Sequence, residues 1–358
     1  MRNAVHLRPG ITLRGSGEET VFKKGPSVTT ALVRETDWFE FAVQVENPTG
    51  FTPGCGLALS TERTEIWPAM RLYTVTAVED DVLYLDQRTE KNYWMSEGAK
   101  AQTLFPLLCA FNVDDVRVED IVLDGNREEN DHIDGNYAGA VFIQYCDRWT
   151  FKNVVARNYN GDAFSFQVCD DIHFEDCHAL NNADRGFHPG SGSQRPLFRR
   201  CTASGNNIGL FWCWSVCDGV AEDCVFSGNR LHGVNFGHRD TDNVLRDCLI
   251  ERNGEVGVLF RREVNEYRTP DRNRIEGCIF RDNGQFGVDI QWKAKDIVIR
   301  DCQFESTDAS SQKVAIRIAP EAERIVIEDN LFRNCAVEIE DLRERRDSGH
   351  GDPRDRRS

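Results

Sequence analysis

One residue recurs at an almost constant interval in this chain, and that interval limits the fold more than any local propensity. Cysteines stand at Cys177, Cys201, Cys224, Cys248, Cys278 and Cys302, with steps of 24, 23, 24, 30 and 24 residues. Asn153 and Asn330 extend the column at its two ends, and four of the six cysteines follow an aspartate. Three residues before the column the chain reads Phe174, Phe198, Ala221, Leu245, Ile275 and Ile299, and two residues after it Ala179, Ala203, Phe226, Ile250, Phe280 and Phe304. Both flanking columns are apolar, yet they lie an odd number of residues apart. A single strand alternating with period two cannot point both inward, so a bend must separate them.

About ten residues further on a third set appears, "GDAFSF", "RGFHPG", "IGLFW", "HGVNF", "VGVLF", "FGVDI" and "VAIRI", each with Gly or Ala ahead of an alternating apolar pair. A unit of 22 to 30 residues with three short strands and polar turns is the pattern of a parallel β-solenoid, in which each coil pairs only with its neighbours. A leucine-rich repeat also fits "IHFEDCHAL", but the second half of each unit lacks helical i, i+3, i+4 spacing. On these motifs the chain resembles the right-handed parallel β-helices of the pectin-lyase-like superfamily, all-β and single-stranded, with a corner ladder of Asn, Ser or Cys. The resemblance covers residues 113–342, and the opening "VHLRPGITLRGSGEETVF" resembles the first coils of the same fold. Right-handedness follows from the resemblance and from the rule for parallel crossovers.

A single β-helix domain is therefore expected over 1–342, with regular coils at 113–342. "FEFAVQVENPTGFTPGCGLALS" and "RLYTVTAVEDDVLYLDQ" break the register and read as an inserted β-rich excursion over 37–105. Residues 343–358 are almost free of apolar side chains and are expected to be a disordered tail. No stretch is apolar enough for a membrane helix, which needs about 20 residues. A net charge of -16 repels a phosphate backbone, so neither membrane nor nucleic acid is an expected partner. The opening "MRNAVHLRPG" has no apolar export segment, which leaves the compartment open: cytoplasmic, or exported with its signal removed. The first coil presents unpaired strand edges, to be covered by the excursion, an upstream segment or a second subunit, so a homo-oligomer is one expectation.

Of the thirteen cysteines, the six at one recurrent phase read as stacked free thiols rather than bridges, since side chains in register point the same way instead of toward each other. Cys213 and Cys217 have no matching pair at zinc-site spacing, so no metal ligands are assigned among them. "DGNREENDHIDGN" offers oxygen ligands from Asp124, Asp131, Asp134 and Asn130, for which calcium is the fitting cation, although a polar loop explains it better and no cofactor is assigned.

With the inside filled, binding is expected along an outer face. If the apolar pair of the third strand points in, the outward residues of successive coils are Phe142, Ser165, His188, Phe211, Asn235, Leu259, Asp289 and Arg317. His188 is the first candidate, an imidazole able to abstract a proton near neutral pH, against the alternative of an ordinary surface histidine. Asp162 can act beside it or simply cap the turn after Asn160-Gly161. Arg195, Arg239 and Arg261 suit a sugar carboxylate, although each alone reads equally as a solubilising charge. Gln167, Asn235, His238 and Asp289 are further expected substrate contacts. Trp212 and Trp214, two apart in one strand, are expected on the same side: a stacking platform if outward, core if inward, with Phe211 then the exposed ring.

The run "DIVLDGNR", "GDAFSFQV", "DRGFHPG" and "NRLHGVNF" resembles the catalytic coils of mannuronan C-5-epimerases and related alginate-acting β-helices. Where those enzymes carry a Tyr, Asp and His set, this sequence holds Asp162, Ser165 and Gln167. The resemblance implies a poly- or oligosaccharide substrate and, most concretely, a lyase or epimerase that removes a proton beside a uronate carboxylate. A β-helix glycoside hydrolase using Asp162 and Asp289 is the alternative, and a non-catalytic glycan-binding or structural solenoid is a third.

Overall fold

The computed structural model describes residues 1–62, 70–307 and 310–343. All but the first residue of the tail expected at 343–358 lies outside the described residues. The described chain contains strands and four short 3-10 turns, with no α-helix. One coil shows the plan: strands Leu197–Arg199, Thr202–Ser204 and Ile208–Phe211 follow one another and each pairs in parallel with its counterpart above and below. The third strands form an 11-stranded sheet and the first two form an 18-stranded sheet of paired ladders.

The parity of the cysteine columns has a backbone cause. The residue before each cysteine, Asp176, Arg200, Asp223, Asp247, Gly277 and Asp301, has φ between 51° and 64°. This left-handed residue turns the chain between the first and second strands, so the apolar side chains on both sides of the turn enter the core. Asp tolerates that conformation because its short polar side chain bonds locally, which explains its recurrence before cysteine. All thirteen cysteines are free thiols. Cys248 Sγ, for example, donates to carbonyls of its own coil and of the coil below, Arg246 O at 3.2 Å and Ala221 O at 3.4 Å.

A second ladder runs beside the thiols. Asn182 Nδ2 donates to Asn206 Oδ1 at 2.9 Å, and the pattern continues through Asn229, Asn253 and Asn283 to Gln312. Each amide also donates to the backbone of the preceding coil, as from Asn229 to Ala203 O at 3.1 Å, so these buried polar groups are satisfied. Rings fill the space between: Phe151, Phe174 and Phe198 stack at 4.7 and 5.1 Å, and Trp212, Phe236 and Phe260 at 5.7 and 4.9 Å. At the outer corner, left-handed Asp and Arg residues pair from coil to coil, Arg148 with Asp115, Arg195 with Asp171, Arg272 with Asp242 and Arg324 with Asp296.

The excursion is a six-stranded sheet built from Thr29–Ala31, Ala42–Gln44, Gly56–Ser60, Met70–Glu79, Val82–Leu85 and Lys100–Gln102. It begins before residue 37, because Thr29–Ala31 pairs antiparallel with Lys100–Gln102 and closes the sheet. Val43, Leu57, Leu59, Tyr73, Val75 and Leu83 form an apolar cluster of its own, while Ala58, Met70 and Leu72 join the solenoid core. Ahead of it, Val5–His6 pairs with Leu108–Phe111, and Thr12–Arg14 with Arg117–Asp124, so the excursion enters between the first coil and the second.

Candidate functional site

The outer face of the 11-stranded sheet carries the expected column in register, from Phe142, Ser165 and His188 to Phe211, Asn235, Leu259, Asp289 and Arg317. Its chemistry concentrates on the strands Asp162–Gln167 and Arg185–Gly190. His188 Nδ1 lies 2.6 Å from Asp162 Oδ2, and the two side chains are 1% and 0% exposed. Arg185 closes the group: its backbone N–H donates to Asp162 Oδ1 at 2.9 Å and its guanidinium lies 3.7 Å from the same oxygen. Burial would raise the Asp162 carboxyl, but the Arg185 charge and the hydrogen bonds from His188 and the Arg185 backbone hold the group below the usual carboxylate range. A carboxylate at Nδ1 fixes the tautomer with the proton there and leaves Nε2 as the acceptor. Nε2 has no hydrogen-bond partner among the described residues.

Phe211 forms the next floor position, 5.3 Å from the His188 ring, with Arg185 at 5.0 Å and Arg261 at 4.9 Å over its face. Arg261 is fixed by Asn235 Oδ1 at 2.9 Å and Glu263 Oε1 at 2.9 Å. Glu263 also accepts the His238 backbone N–H, and the His238 ring stacks on Trp214 at 4.7 Å. A continuous set of contacts thus joins Trp214 to the Asp162–His188 pair. Toward the other side, the loop at 130–138 lies over Asp162 and Ser165: Ser165 Oγ donates to Gly135 O at 2.6 Å. A Cβ at Gly135 would meet Asp162 Oδ2 at 1.7 Å, so only glycine lets the loop come this close. The same loop is pinned by His132 Nε2, 2.7 Å from Asp184 Oδ2, which raises the His132 pKa above its ordinary value.

Several expectations need correction. His188 points outward from the coil but does not face solvent, because Phe211 and the neighbouring groups cover it. Trp212 and Trp214 are not on one side: the strand ends at Phe211, Trp212 is buried in the ring stack, and Trp214 follows with φ 66° and is 57% exposed. Arg195 does not reach the groove, since its left-handed backbone places it in the Asp–Arg corner ladder against Asp170 and Asp171. Arg239 is exposed on the turn past His238, also with positive φ. Asp289 shares the column with His188 but sits four strands beyond it, and five strands from Asp162, which at about 4.8 Å per strand is ~24 Å. Glycoside hydrolysis places its two carboxyls roughly 5–9.5 Å apart, so Asp162 and Asp289 do not make that pair. Asp289 instead accepts from Gln291 at 2.8 Å, with burial raising its pKa. Gln167 is buried and donates to Ser165 Oγ at 3.2 Å.

The oxygens proposed for calcium go separate ways. Asp124 pairs with Arg157, Asp131 accepts from Gln102, and Asp134 accepts from Asn136. Among the described residues no group of three or more His, Cys, Asp or Glu side chains is arranged to hold a metal ion.

Arg185 and Glu263 were missed by sequence reasoning. The signal for Arg185 was present: a charged residue stands directly before the Ala or Gly of the third strand in two consecutive coils, Asp162 and Arg185, where later coils have Ile208 and Val256. A further cleft of about 480 Å³ lies where the excursion meets the groove floor, lined by His6, Arg71, Cys109, Phe111, Phe142 and Gln144 among others. Its Cys109 Sγ lies 3.3 Å from His6 Nδ1, but burial pushes that thiol up to about 12, so the pair offers no thiolate at neutral pH.

The model of the family described as "Right handed beta helix region" matches residues 114–220, 139–268 and 217–343. Mannuronan C5-epimerase AlgE5 of Azotobacter vinelandii is 26% identical over 186 residues, 52% of this chain and 16% of that protein. The chain thus spans less than a fifth of the length of that curated relative. Among solved structures, the A-module of the Azotobacter vinelandii mannuronan C-5 epimerase AlgE4 superposes with a TM-score of 0.50 at 16% identity, covering 66% of this chain and 74% of that one. ORF18 of Geobacillus virus E2 superposes equally, 0.50 at 14% identity, over 63% of this chain and 46% of its own. At these identities the superpositions speak for the fold alone, and the coil-by-coil register agrees with the family match over more than half of the sequence: the protein belongs to the right-handed β-helix family.

Proposed function

We propose that the protein is a glycan-acting β-helix enzyme that binds a uronate-containing poly- or oligosaccharide along the outer face of the 11-stranded sheet and removes the proton beside the sugar carboxylate. The observation that carries this reading is the buried Asp162–His188 pair, its Nε2 unpartnered and its ring against Phe211, over which the Arg185 and Arg261 guanidiniums lie. The similarity to mannuronan C5-epimerases supports the substrate class. In this reading Asp162 holds the Nδ1 proton and stabilises the imidazolium as His188 Nε2 takes the proton from the sugar carbon. Arg185 and Arg261 neutralise the carboxylate, which carries the electron pair left behind. A proton from solvent water on the opposite face gives the epimer, with the His188 proton returning to the hydroxide left behind, and expulsion of the neighbouring glycosidic oxygen, which takes the proton from the His188 imidazolium, gives an unsaturated product. Substrate reaches Nε2 once the 130–138 loop or the Phe211 ring shifts, since the resting pair is covered.

The test is incubation with a panel of uronate polymers, recording absorbance of unsaturated products and proton NMR for inverted centres. The reading expects turnover of at least one polymer and a loss of roughly 10²–10⁴-fold in the His188→Gln variant. Polymer binding without turnover would leave a binding solenoid, and turnover that survives His188→Gln would move the chemistry elsewhere.

A further inference from the structure

The left-handed turn positions of this solenoid are almost uniformly polar. Of the non-glycine residues with positive φ, all are Asp, Asn, Arg, Ser or Gln except Tyr145, Val168, Trp214 and Trp292, among the described residues. These four stand at one register position, one to three residues past the third strand, as the pairings from Gln144 and Gln167 through Gly190 and Cys213 to Leu259 and Asp289 show. The three aromatic ones recur at every third coil: Tyr145 follows Gly139–Gln144, Trp214 follows Ile208–Phe211 and Trp292 follows Phe286–Ile290, with two strands between each pair. At about 4.8 Å per strand the rings are ~14 Å apart along the axis. Tyr145 is 53% and Trp214 57% exposed.

Local stability does not account for this row. A bulky ring is disfavoured at positive φ, and Asn112 fills the same register position after Leu108–Phe111. Core packing does not account for it either, because Tyr145 and Trp214 are more than half exposed and Trp292 is only partly buried. Neighbours hold two of the three rings. His238 backs the Trp214 indole at 4.7 Å and 18°, and the charged ends of Arg262 and Lys293 lie 5.6 and 5.8 Å from the Trp292 ring. An aromatic face beside a cation suits a sugar ring that carries a carboxylate.

We infer that Tyr145, Trp214 and Trp292 form a binding track for an extended anionic polysaccharide, one that engages the polymer on both sides of the Asp162–His188 coils. The inference rests on the substrate class proposed above but not on the chemistry. It assigns the rim a role in choosing long chains over short ones, because a short oligosaccharide spans one ring and a polymer spans three.

The test uses Tyr145→Asn, Trp214→Asn and Trp292→Asn, singly and together. Asn is at home at positive φ, so each variant should melt at or above the wild-type temperature, which separates lost binding from lost folding. Affinity is measured by fluorescence or affinity electrophoresis with mannuronan and polygalacturonate, each as long chains and as short oligosaccharides. The expected result is a weakening of roughly fivefold per ring and about a hundredfold in the triple variant for long chains. For short ones, Tyr145→Asn and Trp292→Asn should change little. Unchanged long-chain affinity in the triple variant would overturn the track, as would equal loss for long and short chains. Should the rim variants lose binding while the wild type turns nothing over, the catalytic reading fails and the track stands. Should His188→Gln abolish turnover while the rim variants bind as wild type, the reverse holds.

Discussion

The Arg261 guanidinium lies so close to the backbone of Gly237 that a Cβ there would fall 1.9 Å from Arg261 Cζ. Gly237 has no positive φ, so alanine fits the backbone itself and only the arginine has to move. Gly237→Ala is therefore expected to displace Arg261 from Phe211 and Asn235 while leaving the coil intact. Polymer affinity should fall about as far as in Arg261→Ala, with the circular dichroism and melting curve close to wild type. Parallel titration of the two variants checks this.

Removing the carboxylate of Asp162 leaves Arg185 charged and His188 unpaired in a covered site. Breaking such a pair from one side costs ~3–5 kcal/mol, and Asp162→Ala should lose stability on that scale in urea denaturation. Asp162→Asn keeps an acceptor for Nδ1 and should lose less stability. It should still lose activity by roughly 100-fold, because the charge that stabilises the imidazolium is gone. The Asp162 pKa is lowered on folding, so its contribution to stability is present above the ordinary carboxylate pKa and vanishes as pH falls through the lower folded value.

The His132–Asp184 contact works in the opposite direction. Hydrogen bonding to Asp184 raises the His132 pKa, so the folded loop favours the protonated ring. That stabilisation is fully present below the unfolded histidine pKa and is lost as pH rises through the raised folded value. Hydrogen exchange of residues 130–138 should accelerate across that window, and His132→Ala should exchange quickly at every pH. If loop movement admits substrate, the same variant should lower KM.

The ladder thiols should resist modification. Cys201 and Cys248 are buried, and desolvation raises their pKa, whereas Cys213, Cys217 and Cys335 are only partly buried. A thiol reagent should modify Cys217 and Cys335 before the ladder in the native protein and all thirteen cysteines after denaturation, with no need for a reductant. A requirement for reductant before full modification would contradict the free-thiol ladder.

Much of the architecture was legible because solenoid packing is periodic. Each coil meets the same constraint as the last, so Cys201 or Phe226 repeats a pattern that one coil alone would not reveal. The Asn182 to Asn283 ladder was legible too, as an Asn three or four residues ahead of the Gly that opens the third strand, but it was hidden among the other polar turn residues. The site was harder to read, because function departs from the period. His188 and Asp162 were found by their place in the outward column, yet their burial depends on Gly135 and Phe211, which approach from other coils. Trp214 was misplaced because period-two alternation stops at Phe211, where the backbone turns left-handed. Arg195 was misplaced for the same reason, its charge being used by the corner ladder.

The position of the excursion also bears on how the chain assembles. Most coils form from strands adjacent in sequence, as where Phe174 meets Phe198, and such contacts close small loops. Val5 and Thr12 meet Leu108 and Arg117 only after the whole six-stranded sheet has been bridged. Closing so long a loop carries a larger entropic cost, so nucleation belongs to the coils after residue 113 and the N-terminal turn zips on last. This coil is then the last to dock, although translation delivers it before the coils that it joins.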